Sequence, residues 1–393
     1  MADDDRQGEA FAFTDEQREL RAVVRDFCSA NSDEGAVRRL METEPGFDPA
    51  FWSRLGTDLG VLGLGVPEEV GGSGGGVVEA AILAEELGAA LVCGPIIGTL
   101  ALAIPALVAA PASVERDAAL RGLLDGARTA ALVLPDLAAG FAPSAVSLTA
   151  TDSDAGWAVR GTVDQVVDGA VADDLVVPAV GPEGLVLLLV DAATSGVRRR
   201  PLGTLDRTRT QATVHFAEAP ARLLATGADA ERICRHALDV AAVLLAAEQV
   251  GVGQRMLDLS LAHARTRIQF GRPIGSFQAV KHRLADMYVD LEHARSAAYH
   301  AAWALQDGTD DARLVTSIAQ AVCSDAATRV ARDAVQVHGG IGFTWEHSAH
   351  LYLKRAYADA ALLGGAEVHR DRVAALVLDE AFVSEGRVSV AAG

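Results

Sequence analysis

A chain of 393 residues with a formal net charge of −19 can bury a large core. It is a poor partner for nucleic acid, whose phosphates need clustered lysine and arginine, and runs such as Arg198-Arg199-Arg200 are too short to reverse that. Half of the residues are hydrophobic but only 5% are aromatic, with much alanine, which favours packed helices over a large all-β protein. Cys28, Cys93, Cys234 and Cys323 lie far apart with no CxxC spacing; that pattern indicates neither a disulfide framework nor a zinc site and suits a reducing compartment. The opening Met1 to Asp5 is acidic, with no apolar run behind it, unlike a signal peptide, so the expected location is cytoplasmic.

In chain order, the first amphipathic segment runs from Thr14 to Cys28, with Thr14 and Gln17 at capping-box spacing. A second helix is expected from Pro49 to Leu59. A glycine-rich loop follows from Gly60 and is closed by a helix from Val77 to Leu87. Such a loop can bind phosphate, but no strand precedes it and neither Walker nor dinucleotide spacing is met, so it reads as a flexible turn. Leu87 to Ala112 carries no charge and is long enough to suggest a membrane span. Pro95, Pro105 and Pro111 cut it into short pieces, and the expectation is buried helices with no membrane span.

From about Arg128 the pattern changes. Short β-rich runs, Thr129–Leu134, Ala145–Thr149, Trp157–Val159, Leu175–Ala179, Leu185–Val190 and Ala212–Phe216, alternate with turn residues. They predict a small antiparallel barrel or sandwich. Beyond Ala228 the helical signal returns. A long helix runs from Asp229 to about Arg267 and stops at Phe270-Gly271-Arg272-Pro273. A second runs from Gln278 past Ala304, with Val280, Leu284, Met287 and Leu291 on one face. A third spans Asp311 to Val337, with Val315, Ile318, Val322, Ala326 and Val330 along one side. With a shorter fourth helix they predict a four-helix bundle. The fold class is mainly α with a central β domain, in three units: 1–127, 128–227 and 228–393.

That order resembles the acyl-CoA dehydrogenases, and several motifs are similar to that family's. Near the start stand Leu62-Gly-Leu-Gly-Val-Pro-Glu-Glu-Val-Gly-Gly and Ala84-Glu-Glu-Leu-Gly. In the bundle stand Ala264-Arg-Thr-Arg-Ile-Gln-Phe-Gly-Arg-Pro-Ile-Gly-Ser-Phe-Gln and Gln336-Val-His-Gly-Gly-Ile-Gly-Phe-Thr-Trp-Glu. The resemblance implies FAD as cofactor, an acyl-CoA thioester as substrate and an electron-transfer flavoprotein as electron acceptor. It also implies an oligomer, a homo- or heterotetramer with another chain of the same kind, because in the family these bundle residues touch the FAD of a neighbouring subunit. The residues suit that work. Arg267, at a helix end, offers a cation to a pyrophosphate. Gln269, Phe270, Gln278 and Gln336 offer hydrogen bonds and an apolar face, and Gly339 and Gly340 let backbone approach phosphate closely.

The reaction needs a base for the α-proton of the thioester. Many family members place a Glu in Tyr-Glu-Gly-Thr near the C-terminus; here the stretch is Leu362-Leu-Gly-Gly-Ala-Glu-Val-His-Arg, with Gly364 at that position and Glu367 a poor replacement. A second family location lies on the first bundle helix. There Glu248 stands alone between Asp239 and Arg255, with Leu244 and Val252 at i−4 and i+4. Such a carboxylate is expected to be buried and hard to ionise, either as the catalytic base or as a buried Glu bonded to a neighbouring helix. His347 and His350 lack a third ligand and read as structural. Asp206-Arg-Thr-Arg reads as a salt-bridged corner.

One departure matters. The family's Thr-Glu-Pro…Gly-Ser-Asp stretch, which lines the flavin ring, corresponds to Leu132-Val-Leu-Pro-Asp-Leu-Ala-Ala-Gly-Phe-Ala-Pro, where only Pro135 survives. Some bacterial members are heterotetramers with fewer flavin sites than chains, and the eroded motif resembles that type. A non-catalytic scaffold subunit, or a related oxidase or monooxygenase, is the alternative.

Overall fold

A computed structural model describes residues 12–154, 156–308 and 311–379; the acidic opening Met1 to Asp5 lies outside them. The first unit is helical: α1 (Asp15–Asn31), α2 (Glu34–Leu40), α3 (Pro49–Thr57), α4 (Val77–Ala89), α5 (Ile104–Ala109) and α6 (Val114–Leu124). At the start of α1 the capping box forms: Gln17 N donates to Thr14 Oγ1 at 3.2 Å and Thr14 N donates to Gln17 Oε1 at 3.0 Å. The uncharged stretch breaks at Pro95 and before Pro111, but Pro105 does not cut it, and Ile96–Ala109 is one continuous helical run. Pro95 opens a π-helical run, Ile96–Ala103, that passes into α5 with Pro105 in its first turn. Ile96 to Ile104 are all buried.

The β unit comprises β1 (Ala130–Leu132), β2 (Thr149–Ser153), β3 (Gly156–Val167), β4 (Asp174–Gly181), β5 (Gly184–Asp191), β6 (Val197–Pro201) and β7 (Gln211–Thr226). Strands β4, β2, β3, β7 and β5 pair in that order, and β5 pairs back with β4, closing a small barrel. The expected antiparallel arrangement needs a correction, because β1 and β2 both run parallel to β4. Residues 145–148, expected as strand, form the end of a short 3₁₀ turn and a loop. Strand β6, Val-Arg-Arg-Arg-Pro, is almost wholly exposed, so it lacks the alternation that marks a half-buried strand.

The third unit starts with α7 (Gly227–Thr266), the longest helix, followed by a two-residue-arm hairpin β8 (Ile268–Gln269) and β9 (Arg272–Pro273). Then come α8 (Gln278–Asp307), α9 (Ala312–His338), α10 (Ala349–Leu362) and α11 (Ala366–Ala374). Asp311 caps α9, accepting from Arg313 N at 3.1 Å and Leu314 N at 3.3 Å. The buried face of α9 differs from expectation. Ile318 is 40% exposed while Ala319, Cys323 and Ala327 are buried, because helices this rich in alanine pack close and bury their small side chains.

Helix α7 runs through the centre of the molecule and crosses α4 with backbones in contact. A Cβ at Gly251 would lie 1.9 Å from Glu85 O, and one at Gly88 would lie 2.5 Å from Glu248 O, so only glycine fits at this crossing. By length and composition α7 passes as a membrane span, but its most apolar window is 83% buried inside the protein, as a core helix is.

Candidate functional site

Three places carry chemistry, and the long helix α7 contributes to each. The first is the exposed end of the bundle. Arg267 caps α7, its N–H donating to His263 O at 2.9 Å. The hairpin turn behind it places Phe270 and Gly271 at φ +54° and +77°. His263 and His338 stack at 4.6 Å between ring centroids, which ties the end of α7 to the end of α9 and brings the Arg267 turn and Gly339 to one end of the bundle. Here Arg267, Gln269, Gln278, Gln336, Gly339 and Gly340 are all exposed, and Phe270 is 91% exposed.

Among the described residues Arg267 makes no ion pair. A Cβ at Gly339 or Gly340 would meet nothing within 4 Å, so their backbone is open to a close-lying group. Phe343 and Trp345 add further exposed aromatic surface beside them. A free guanidinium, carboxamides, bare glycine backbone and an exposed phenyl ring suit a dinucleotide's pyrophosphate and adenosine. All of them are exposed at the surface of this chain. The residues present fit FAD in that sense.

The second place is the buried carboxylate Glu248, which the sequence leaves as either a catalytic base or a structural partner. Glu248 is fully buried as expected, but it is not alone. Arg209 Nη2 donates to both of its oxygens at 2.7 Å, and Arg355 Nη1 donates to Oε1. Arg209 also pairs with Asp359. Arg355 donates through Nε to Asp206 Oδ2 and through Nη2 to Thr208 Oγ1, both at 2.6 Å. All of these side chains are at most 5% exposed. Both Glu248 oxygens are engaged by cations away from solvent, so the group is a counter-ion joining the barrel corner 206–209 to α7 and α10. The corner is salt-bridged, as the sequence suggests. The partners could not be found along the chain, because they lie 39 and 107 residues away.

The third place is a pair of cavities on either side of the segment 134–141, which follows β1. One, of about 540 Å³, lies between Pro135, Leu137, Gly203, Asp206, Arg209 and Leu362. The other, of about 320 Å³, lies between Leu137, Asp239, Thr316, Leu363, His369 and Arg372. Leu137 lines both, so the cavities adjoin where the barrel meets α10 and α11. Between them stands Gly364 at φ +98°, and a Cβ there would lie 2.8 Å from Ala138 O. The loop has closed over the position where a carboxylate side chain would start.

The second cavity holds residues that the sequence reading did not single out. Burial pushes the Asp239 carboxyl up despite the nearby guanidiniums of Arg313, Arg235 and Arg372. The signals were faint. Asp239 is visible only as the last charge before the apolar stretch of α7, and His369 and Arg372 only as polar residues behind Gly364. The four cysteines are buried and free; burial pushes Cys28, Cys93 and Cys234 up to about 12, so they are poor nucleophiles.

Comparison with known proteins follows the same outline. Family models described as acyl-CoA dehydrogenase, N-terminal domain, and acyl-CoA dehydrogenase, C-terminal domain, match residues 14–127 and 232–378. The acyl-CoA dehydrogenase IpdE2 of Mycolicibacterium smegmatis is 38% identical over 350 residues, covering 89% of this chain and 95% of that protein. The acyl-CoA dehydrogenase FadE34 of Mycobacterium tuberculosis is 37% identical over 378 residues, covering 92% of this chain but 48% of that protein. The ChsE4-ChsE5 complex from Mycobacterium tuberculosis superposes with a TM-score of 0.81 at 30% identity, covering 92% of this chain and 97% of that one.

Proposed function

This chain belongs to the acyl-CoA dehydrogenase family, and we propose that it works as one subunit of a hetero-oligomeric, FAD-dependent acyl-CoA dehydrogenase. When bound, FAD accepts the β-hydrogen of the thioester as hydride. An electron-transfer flavoprotein is the electron acceptor in this reading.

The carrying observation is the outward-facing set at the bundle end, Arg267, Gln269, Phe270, Gln278, Gln336, Gly339 and Gly340, which finds no ligand-shaped partner within its own chain. Two comparisons support a partner of the same kind. ChsE4 and ChsE5 are two chains in one complex. FadE34 leaves about half its length beyond the part this chain matches, room for a second unit of this size. The residues act by holding and positioning. Arg267 meets phosphate charge, the glycines admit it to backbone N–H groups, and Phe270 covers an adenine-sized face.

In this reading Glu248 holds the barrel against the bundle and takes no part in proton transfer. Asp239 is the carboxylate that lines the 320 Å³ cavity, and in this reading it is the group that takes a proton there. The deciding experiment co-expresses this chain with a second acyl-CoA dehydrogenase-like chain of the same genome and counts FAD per chain. The expectation is a stable complex with fewer flavins than chains, and little flavin on this chain by itself. A stable homotetramer with one FAD per chain would overturn the heteromeric reading.

A further inference from the structure

The bundle end presents its exposed groups on two segments, the turn after α7 and the turn after α9, and histidines join the two. His338, 5% exposed, closes α9 immediately before Gly339 and Gly340. Its ring lies 4.6 Å from that of His263 in the last turn of α7 and 4.3 Å from that of His347, just ahead of α10. Three imidazoles therefore form one stack. His263 O accepts the N–H of Arg267 at 2.9 Å, which fixes the helix end that presents the guanidinium. On the other side the turn Gly339–Phe343 is seated on His338, since a Cβ at Gly342 would lie 2.8 Å from His338 Cβ.

The hydrogen bonds set the state of the rings. Ala334 O only accepts and lies 2.7 Å from His338 Nδ1, so that nitrogen carries a proton. Ala349 N donates to His347 Nδ1 at 3.1 Å, so there the nitrogen keeps its lone pair. A cation on His347 would break that bond and oppose the dipole at the start of α10. Burial first, then the neighbouring imidazoles and Arg267, push His263 down; burial and His338 push His347 down. The other charged groups facing the stack are Glu34 and Arg38 of α2, which pair with each other at 2.7 Å, and His350 with Lys354 on α10.

We infer, on the basis of the FAD reading above, that His263, His338 and His347 are positioning residues for the cofactor. The unprotonated stack holds the Arg267 turn and the Gly339-Gly340 backbone at one spacing, and protonation sets like charges side by side and lets the flavin go. The rings act through Arg267 and the glycines. His263 and His347 both lie below the ordinary histidine value of 6.5, so the hold is complete above about pH 6.5 and weakens as pH falls below it.

The test follows FAD loss from the co-expressed complex on dialysis at pH 7.5 and pH 5.5. The wild type is expected to lose flavin about tenfold faster at pH 5.5, with its helical content unchanged. His263→Ala opens the stack and is expected to lose flavin quickly at both values. His263→Phe keeps an aromatic ring that cannot take a proton, and is expected to restore retention at pH 7.5. Adding His347→Asn, whose side-chain oxygen still accepts from Ala349 N, is expected to flatten the pH profile. A doubly substituted complex whose retention falls with pH as steeply as wild type overturns the inference. So does wild-type retention that rises toward pH 5.5, as an imidazolium in contact with phosphate would give. A complex that carries no FAD at either value overturns the flavoprotein reading. One that carries FAD and keeps it equally well in His263→Ala overturns this inference alone.

Discussion

Arg209 places one guanidinium nitrogen 2.7 Å from each oxygen of Glu248, so an arginine from the barrel corner closes on the carboxylate in the middle of α7. Removing one partner from a buried ion pair leaves the other charge uncompensated, at a cost of about 3–5 kcal/mol. Glu248→Gln is therefore expected to lower the thermal midpoint and weaken assembly, while the molecules that do fold keep near-normal turnover. Thermal melts and active-site-normalised rates check this. A variant that melts like wild type and has lost turnover would restore Glu248 as base.

Asp239 is the complementary test. It lines the cavity, and no hydrogen bond or ion pair engages its carboxylate among the described residues. Asp239→Asn in the assembled complex is expected to keep the fold and slow flavin reduction by about 10²–10⁴-fold, the range of a general-base contribution. Single-turnover bleaching measures it. An unchanged rate would place the base in the partner chain.

The same ionic cluster predicts a pH dependence. Asp206, Glu248 and Asp359 face Arg209 and Arg355, three carboxylates against two guanidiniums. Burial pushes Asp359 up to about 7, beyond what Arg209 offsets. The folded protein then holds a proton that the unfolded chain releases near 3.8, so unfolding sheds a proton throughout that interval. Stability from this group is present below about pH 4, declines as pH rises toward about 7, and is flat above. Asp359→Asn, which retains an oxygen for Arg209, is expected to flatten the decline and to gain most over wild type at pH 8. Denaturant midpoints at pH 5 and pH 8 read the difference; a parallel shift at both would count against it.

Gly364 predicts what restoring the family's usual Glu would do. Any Cβ there meets Ala138 O at 2.8 Å and sits at φ +98°, a conformation that side-chain-bearing residues resist. Gly364→Glu is expected to destabilise the chain by about 1 kcal/mol or more without raising turnover. A gain in rate at unchanged stability would show that the segment 134–141 yields easily.

Arg267→Ala tests the bundle end. A hydrogen bond to a charged group contributes about 1.5–3 kcal/mol, so the assembled variant is expected to lose FAD on dialysis roughly 10–100-fold more readily with its helical content intact. Flavin retention equal to wild type would remove Arg267 from the site.

The sequence by itself was enough for the order of the three units, most of the helices, and the Thr14–Gln17 cap, because periodicity and capping act over three or four residues and leave local traces. It also marked Arg267, Phe270 and the Gly339-Gly340 pair, since a charge, a turn and bare backbone at helix ends are visible in the chain. Strand β6 and the parallel pairing of β1 and β2 with β4 were hidden, because an exposed strand has no alternation and pairing direction depends on distant partners. Glu248 shows most clearly what tertiary structure decided. Along α7 it is a lone charge among apolar neighbours, and the field at that point belongs to Arg209 and Arg355, brought in from another domain and another helix. Cavities are likewise properties of several elements at once, so Asp239, Thr316 and His369 come to line one space only when α7, α9, α11 and the segment after β1 close around it. Electrostatics and packing act through space, and only the helix periodicity that starts them is written along the chain.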